Sequence, residues 1–226
     1  MASPSRPDDP PVRRHDLVAV GAAGWRSLLA ARDDLAAEPL VVRWADHGWP
    51  LVGRRAGRGE RHGVALGLPL PPAAGKRRLA VLVRPQDIVS TEPPPALRAV
   101  VRAAPRAWWQ TLERLDGLAA RHALQARVFG SLAWQAITGL DYLTERSDLD
   151  LLIAVRQGTD LASLAADLAA IEAAAPMRLD GELVRGDGAA VNWREFRAGP
   201  RDVLVKTVRG VALIETSLFL RGGTSA

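Results

Sequence analysis

One stretch near the middle of the chain constrains its fold most, because strand-like and helix-like patterns alternate there around a few polar residues. Apolar residues predict a strand over Gln125–Phe129 that ends at Gly130 and Ser131. A helix is predicted to begin over Leu132–Ile137, and a strongly apolar strand runs over Asp148–Val155. The order strand, Gly-Ser, helix, loop, strand predicts a mixed α and β structure in this half of the chain.

The polar residues of this stretch suit phosphate and metal chemistry. Gly130 lacks a Cβ and lets a ligand approach the backbone, and Ser131 lies at a predicted helix start, where free N–H groups can hold a phosphate. Asp148 and Asp150 are two residues apart, so their carboxylates share one face of the strand. Such close carboxylates repel each other unless a cation lies between them, and Mg²⁺ prefers oxygen ligands of this kind. The stretch therefore predicts a magnesium and phosphate site.

A third carboxylate is expected from the strand predicted over Met177–Val184. This strand offers Asp180 and Glu182, again two residues apart. Asp180 is favoured as the third metal ligand because its side chain has the length of the other two. Asp180 and Gly181 could instead form a turn, in which case neither acid is a ligand. Both acids are therefore kept as candidate catalytic residues.

Each half of this pattern has a simpler interpretation when it is taken alone. Gly-Ser pairs are common in turns, and Asp-x-Asp is common at helix caps and exposed strand ends. The combination is more specific, because a strand, Gly-Ser, a helix and Ser-Asp-Leu-Asp opening an apolar strand must all occur in order. The pattern is therefore interpreted as one site.

Composition limits the classes of protein to consider. The 226 residues suffice for a sizeable core, and no apolar run approaches the roughly 18 residues of a membrane span. The chain has no cysteine, which excludes disulfides, thiolate metal sites and cysteine nucleophiles and fits a cytoplasmic protein. The formal charge of +5 favours an anionic partner, although abundant arginine can also reflect the base composition of the genome.

A polar and proline-rich segment over Ser90–Pro95 predicts a boundary between two domains, because it can continue neither a helix nor a central strand. Residues 1–13 are predicted to form a flexible tail. Residues 14–90 then form a small N-terminal α+β domain, and residues 96–226 form a second domain that carries the predicted magnesium and phosphate site.

Local patterns predict the elements of both domains. In the N-terminal domain, the Gly- and Pro-rich segment 48–72 predicts tight turns rather than regular structure. The other elements predicted there are a helix over Gly24–Ala37 and strands over Leu17–Val20, Leu40–Trp44 and Leu79–Val83.

In the C-terminal domain, residues 203–215 fit either a helix or a hairpin that turns at Arg209 and Gly210. The hairpin is favoured because β-branched residues are dense there. The other elements predicted there are a mainly helical segment over Ala96–His122 broken at Pro105, a helix over Asp160–Ala174 and a strand over Ala189–Phe196.

Four basic residues outside the central stretch are weaker candidates for binding phosphate. Lys206 is one of only two lysines in the chain. Arg194, in Asn-Trp-Arg-Glu-Phe, could contact phosphate or pair with a nearby acid. Arg54 and Arg55 could bind phosphates or an acidic protein, or could lie on a solvated loop.

The central stretch resembles the nucleotidyltransferase superfamily related to DNA polymerase β, whose pattern is Gly-Ser, a helix, Asp-x-Asp and a third acid. A closer resemblance covers nearly the whole chain and is to the malonate decarboxylase holo-acyl-carrier-protein synthases, also named phosphoribosyl-dephospho-CoA transferases. The stretches that carry it include RHDLVAV, GWPLVGRR, GLPLPP with GKRRLAV, LDGELV with VNWREF, and VLVKTVRGVALI. One departure is Gly53, where this resemblance leads us to expect an apolar residue before the paired arginines.

The resemblance implies an α+β fold in which a small α+β domain precedes a polymerase-β-like domain, whose mixed sheet is flanked by helices. It also implies transfer of a prosthetic group from 2′-(5″-triphosphoribosyl)-3′-dephospho-CoA to a serine of the malonate decarboxylase acyl carrier protein. Pyrophosphate is then released and Mg²⁺ is the cofactor. Asp148 and Asp150, with Asp180 or with Glu182 in its place, are then the metal ligands, and Gly130 with Ser131 is the triphosphate site. The N-terminal domain then binds the donor or the carrier protein, and residues 96–226 form the catalytic nucleotidyltransferase domain.

Two other functions are compatible with the sequence. One is a nucleotidyltransferase with another acceptor, such as an RNA end, an antibiotic hydroxyl or a protein tyrosine. The other is an arginine-rich nucleic-acid-binding module on an inactive nucleotidyltransferase fold. The intact Gly-Ser and Asp-x-Asp argue against the second, since an inactive site has no reason to keep crowded acids. No membrane or nucleic-acid partner is therefore expected.

Overall fold

The computed structural model describes residues 12–60, 62–207 and 210–221. The chain divides into two compact units, one ending at Pro94 and the other beginning at Pro95. Most of the predicted N-terminal tail lies outside the described residues. Within the described residues, no helix is both long and apolar enough to cross a membrane.

The first unit is a five-stranded antiparallel sheet with helices, in the strand order β4-β3-β2-β1-β5. The first predicted strand is confirmed over its full range, and the strand predicted over Leu79–Val83 begins one residue earlier. The bounds of the elements are β1 Leu17–Val20, α1 Ala22–Ala30, α2 Asp33–Ala36, α3 Pro39–His47, β2 Leu51–Gly53, β3 Val64–Pro69, β4 Arg78–Val83 and β5 Ile88–Glu92.

Three predictions for this unit are wrong in part or in whole. The segment Leu40–Trp44 belongs to helix α3, because a proline at its start favours helix initiation and two apolar residues three apart, Val41 and Trp44, bury one face. The helix predicted over Gly24–Ala37 is split into α1 and α2. The segment 48–72 contains strands β2 and β3, which pair with Val52 opposite Gly67 and Gly53 opposite Leu66, so glycines lie within both strands.

Gly53 shows why one of these glycines lies in a strand. A Cβ at this position would lie 2.2 Å from the carbonyl oxygen of Arg13, and the Gly53 carbonyl accepts a hydrogen bond of 2.9 Å from the His15 N–H. The segment before β1 therefore crosses β2 at backbone contact, which only glycine permits. This close approach explains why glycine replaces the apolar residue expected there.

The second unit is a six-stranded mixed sheet packed with helices, in the order β11-β10-β9-β8-β7-β6. Strands β7 and β8 are parallel, and the other neighbouring pairs are antiparallel. This arrangement confirms the predicted α+β fold with a mixed sheet. The bounds are α4 Leu97–Val100, α5 Trp109–Arg121, β6 Gln125–Phe129, α6 Gly130–Thr138, β7 Leu149–Ala154, α7 Leu161–Ala173, β8 Leu179–Val184, β9 Ala190–Asn192, α8 Trp193–Arg197, β10 Asp202–Lys206, β11 Val211–Glu215 and α9 Thr216–Arg221.

The predictions for the second unit hold for most elements and fail at two places. The segment Ala189–Phe196 is a short strand followed by helix α8, because the Asn192 side chain accepts a 2.9 Å hydrogen bond from the Arg194 N–H and caps that helix. The alternative turn at Asp180 and Gly181 is wrong, because both residues lie within β8. The hairpin is confirmed by the pairing of β10 with β11, although the predicted turn residue Arg209 lies outside the described residues.

Alternation along β7 separates a core face from a polar face. Leu149, Leu151 and Ile153 are buried and belong to the hydrophobic core of this unit. Helix α7 returns the chain so that β8 pairs in parallel with β7. Asp150 projects to the other face of the sheet, because successive side chains on a strand point to opposite faces. The apolar face therefore anchors the strands on which the predicted acids lie.

Replacing Leu151 by alanine tests this anchoring. Leu151 is fully buried, so the change should lower the free energy of unfolding by about 2–5 kcal/mol, measured by urea denaturation. Leu204→Ala is a matched control, because Leu204 is 42% exposed and should change the free energy by about 0.5 kcal/mol or less. Equal losses in both variants would contradict the assignment of the core face.

Candidate active site

Two acidic residues lie side by side on the polar face of the second sheet. In the parallel register of β7 and β8, Asp150 is the partner of Asp180 and Leu152 is the partner of Glu182. Partners in adjacent strands project to the same face and are separated by about 4.8 Å. The sheet thus brings Asp150, Asp180 and Glu182 together on one face.

Gly130 is in direct contact with Asp150. A Cβ at Gly130 would lie 1.9 Å from the Oδ2 atom of Asp150, and the Gly130 φ of +67° falls in the left-handed region. Gly130 is also the first residue of helix α6, where the helix dipole favours negative charge. The glycine therefore lets the carboxylate of Asp150 lie against the helix start.

Ser131 is the second residue of α6 and is partly buried. The first N–H groups of a helix have no partner within the helix. They can donate to a phosphate, and the serine hydroxyl can add a further donor. The Gly-Ser pair and Asp150 therefore form one corner of the site, as the sequence pattern predicts.

Asp148 is paired with an arginine that the sequence analysis missed. Its Oδ2 atom accepts from Nη2 of Arg178 at 2.9 Å and from Nε at 3.1 Å. The Leu149 N–H donates to the Arg178 carbonyl at 2.9 Å, which sets the two residues side by side at the strand starts. The sequence holds a signal for this pair: residues 148–150 read Asp-Leu-Asp and residues 178–180 read Arg-Leu-Asp, so aligning the two strands places Asp148 beside Arg178.

Asp180 also has a partner that the sequence analysis missed. The Asn192 side-chain amide donates to its Oδ1 atom at 3.0 Å. The same side chain caps helix α8 through its oxygen, so its orientation is fixed at both ends. Asn192 therefore holds the carboxylate of Asp180 next to Asp150.

Glu182 and Lys206 form a pair farther along the same face. The Lys206 Nζ donates to Oε1 of Glu182 at 2.7 Å, and Glu182 is only 5% exposed. A buried carboxylate needs such a partner to offset its desolvation. Because Glu182 is paired with a lysine and lies opposite Leu152, the geometry favours Asp180 as the third acid.

Arg194 is held by contacts within its own unit. Its guanidinium forms an ion pair with Glu172 and lies 4.8 Å from the ring centre of Trp193. Glu172 also accepts from the Leu179 N–H at 2.8 Å, at the first residue of β8. A surface depression of about 410 Å³ lies beside this cluster; its lining includes Glu172, Met177, Arg178 and Arg194.

Arg54 and Arg55 lie in the first unit. The Arg54 guanidinium forms two hydrogen bonds of 2.7 Å with Glu60 and donates to the Leu66 carbonyl at 2.9 Å. Arg55 is exposed. Arg54 therefore has a structural role in tying together the segment between β2 and β3, and Arg55 is the more accessible of the two.

The donor atoms on the polar face suit Mg²⁺ in combination with a substrate. Among the described residues, no three acidic or histidine side chains are close enough to form a ready-made metal cage. Mg²⁺ is commonly held by one or two carboxylates together with substrate phosphates rather than by such a cage. The carboxylates of Asp150 and Asp180, which lie opposite each other beside the start of α6, with Asp148 two residues earlier, fit that mode.

Replacing Gly130 by alanine tests the contact with Asp150. The added methyl group should adopt a strained φ and displace the Asp150 side chain. Gly139→Ala is a matched control, because Gly139 ends the same helix with a φ of +71° and has no neighbour within 4 Å of an added Cβ. The loss in the free energy of unfolding should be about 1 kcal/mol greater for Gly130→Ala, as measured by urea denaturation. Equal losses would contradict the close contact.

The Arg54–Glu60 pair predicts a pH-dependent stability. Hydrogen bonds from Arg54, with a further bond from the Gly57 N–H, lower the pKa of Glu60 to about 2 from 4.5. Because the folded-state pKa is the lower one, the pair stabilises the fold fully above pH 4.5 and loses its effect as the pH falls towards 2.

Glu60→Gln should therefore destabilise the protein at neutral pH, and its difference from wild type should shrink between pH 4.5 and 2. Chemical denaturation at a series of pH values measures this difference. A difference that stays constant over the acidic range would contradict the pairing.

Comparisons with known proteins identify the family of the chain. The family model for the phosphoribosyl-dephospho-CoA transferase MdcG N-terminal domain matches residues 13–94, and the model for its C-terminal domain matches residues 96–217. No solved structure matches the chain.

Several curated relatives carry the name phosphoribosyl-dephospho-CoA transferase. One from Bradyrhizobium diazoefficiens is 55% identical over 226 residues, which is 100% of both chains. One from Xanthomonas campestris pv. campestris strain 8004 is 41% identical over 81% of this chain and 87% of the relative. One from Pseudomonas putida strain GB-1 is 35% identical over 79% of both. The chain is thus a transferase, and it belongs to the phosphoribosyl-dephospho-CoA transferase family.

Proposed function

We propose that this transferase moves the 5″-phosphoribosyl-3′-dephospho-CoA group from 2′-(5″-triphosphoribosyl)-3′-dephospho-CoA to a serine of the malonate decarboxylase acyl carrier protein. The family supports the transferred group. The observation that supports this type of reaction is the contact of the Asp150 carboxylate with Gly130 at the start of a helix. That contact combines a phosphate-binding backbone with an acid that can hold a cation.

The proposed reaction is a substitution at phosphorus. The serine oxygen attacks the α-phosphorus of the triphosphate, and the bond from that phosphorus to the oxygen of the β-phosphate breaks. A phosphodiester forms on the carrier, the serine loses its proton, and pyrophosphate leaves with the electrons of the broken bond. Positioning and neutralisation of charge supply most of the catalysis in such reactions.

The residues at the helix start would bind the triphosphate. The N–H groups at Gly130 and Ser131 donate to phosphate oxygens, and the missing Cβ of Gly130 leaves room for the Asp150 carboxylate beside them. A phosphate bound there lies next to Asp150, so the reacting phosphorus and the acids meet at one place. This role rests on the same backbone feature that brings Asp150 to the helix.

The acids at the strand starts would hold Mg²⁺. Asp148, Asp150 and Asp180 supply carboxylate oxygens, and bound Mg²⁺ would neutralise the charge that develops on the phosphate oxygens. Asp180 is oriented by Asn192 and can accept a hydrogen bond from the attacking serine. Glu182 would keep Lys206 extended along the same face, where the lysine can attract the leaving pyrophosphate.

Intact-mass spectrometry of the carrier protein tests this function. Incubation with the enzyme, Mg²⁺ and the triphosphoribosyl donor should add one prosthetic group to the carrier, and pyrophosphate should appear in equal amount. Replacing the carrier serine by alanine should prevent the addition. Labelled products formed with ATP in place of the donor would instead favour a nucleotidyltransferase with another acceptor.

Replacing Asp148 or Asp150 by asparagine tests the assignment of the acids. Either change should lower the transfer rate by about 100-fold or more while leaving the fold intact, as checked by circular dichroism. Asp160→Asn is a matched control, because Asp160 is exposed beyond the opposite end of β7 and caps α7, a role that asparagine can also fill. Transfer at a near-normal rate by either active-site variant would contradict the assignment.

A further inference from the structure

The ion pair of Arg178 with Asp148 places a positive charge where the proposed function needs a metal ion. Asp148 and Arg178 lie beside each other, two residues before the pair formed by Asp150 and Asp180. A row of carboxylates on adjacent strands is destabilised by repulsion unless positive charge is close. The guanidinium of Arg178 supplies that charge while no metal is bound.

We propose that the Arg178 guanidinium has two positions: it neutralises Asp148 in the metal-free enzyme and moves onto a phosphate of the donor when Mg²⁺ binds. The inference rests on the proposed function, because it assumes that Asp148 is a ligand of Mg²⁺. It assigns to Arg178 the binding of a phosphoryl oxygen, in addition to its contact with Asp148.

Because the ion pair of Arg178 with Asp148 is exposed, breaking it so that Arg178 can change partner costs little free energy. The side chain of Arg178 is 59% exposed and that of Asp148 is 34% exposed. Ion pairs exposed to this degree are weak, because water screens them and long side chains lose entropy on pairing. A divalent cation at Asp148 would repel the guanidinium a few ångströms away. The ion pair therefore offsets the negative charge of Asp148 in the absence of a metal and breaks when the metal binds.

Two other cations of this region, Lys206 and Arg194, are less able to move. The side chain of Lys206 is 33% exposed and is paired with the buried Glu182, and that of Arg194 is 31% exposed and is held by Glu172 and Trp193. Arg178 is more exposed than either. It also lines the depression of about 410 Å³ beside Glu172 and Arg194, so it has space into which its side chain can turn.

The chemistry of the guanidinium selects phosphate as its second partner. Arginine presents a planar fork of N–H donors that matches two oxygens of a phosphate group. The triphosphate of the donor brings several such oxygens to the strand starts. Mg²⁺ and phosphate should then favour each other's binding, because each stabilises the position of Arg178 that the other needs.

Arg178→Met tests the exchange by binding rather than by activity. Isothermal titration with MgCl₂ alone should give an affinity about two- to five-fold higher for the variant than for wild type, because a competitor of the metal at Asp148 is gone. Titration with preformed Mg–pyrophosphate should give the opposite result, with weaker binding to the variant. Arg178→Lys should be intermediate in the second titration, because it keeps the charge and loses the fork.

Arg197→Met serves as the control, because Arg197 is exposed on α8 and should leave both titrations unchanged. If Arg178 had only a structural role, Arg178→Met would bind both Mg²⁺ and Mg–pyrophosphate more weakly than wild type. If Arg178→Met binds Mg²⁺ no more tightly than wild type, or binds Mg–pyrophosphate as tightly as wild type, the inference is wrong and the proposed function is unaffected. If neither wild type nor the variant binds Mg²⁺, the proposed metal site fails and the inference fails with it.

Discussion

The parallel pairing of β7 with β8 is the constraint on which the rest of the site depends. It sets Asp150 directly opposite Asp180, and Asp148 beside Arg178 at the same edge of the sheet. Like charges at this spacing oppose folding unless the surroundings offset them. The buried apolar residues on the other face of these strands, such as Leu151, supply the stability that keeps the acids together.

Each acid is held in a different way, and the differences suggest different roles. Asp150 lies against the start of α6 at Gly130, and Asp180 is oriented by an amide that carries no charge. Asp148 is paired with an exposed arginine, whereas the buried Glu182 has its own lysine. The pairing of Glu182 is the stronger of these constraints, since a buried ion that loses its partner is costly. The three aspartates are therefore better suited than Glu182 to accept a metal ion.

The sequence predicts the elements that carry the candidate site better than it predicts the elements around them. Gly-Ser and Asp-x-Asp are local patterns, and the strands and helix that carry them are found where the patterns predict. The partners Arg178 and Asn192 were missed because they come from strand pairing, which brings together residues distant in sequence. Helix α3 was mistaken for a strand because its short run of valine and tryptophan has no long period, and the burial of Val41 and Trp44 on one face decides its form.

The central claim is that the acids at the strand starts, next to the start of α6, form a divalent-cation site. Paramagnetic broadening of backbone amide signals by Mn²⁺, measured by NMR on the isotopically labelled protein, tests it most directly. At low Mn²⁺ the signals of Gly130, Asp150 and Asp180 should broaden first, and addition of MgCl₂ should restore them. Broadening centred on other residues, or none at these three, would contradict the account.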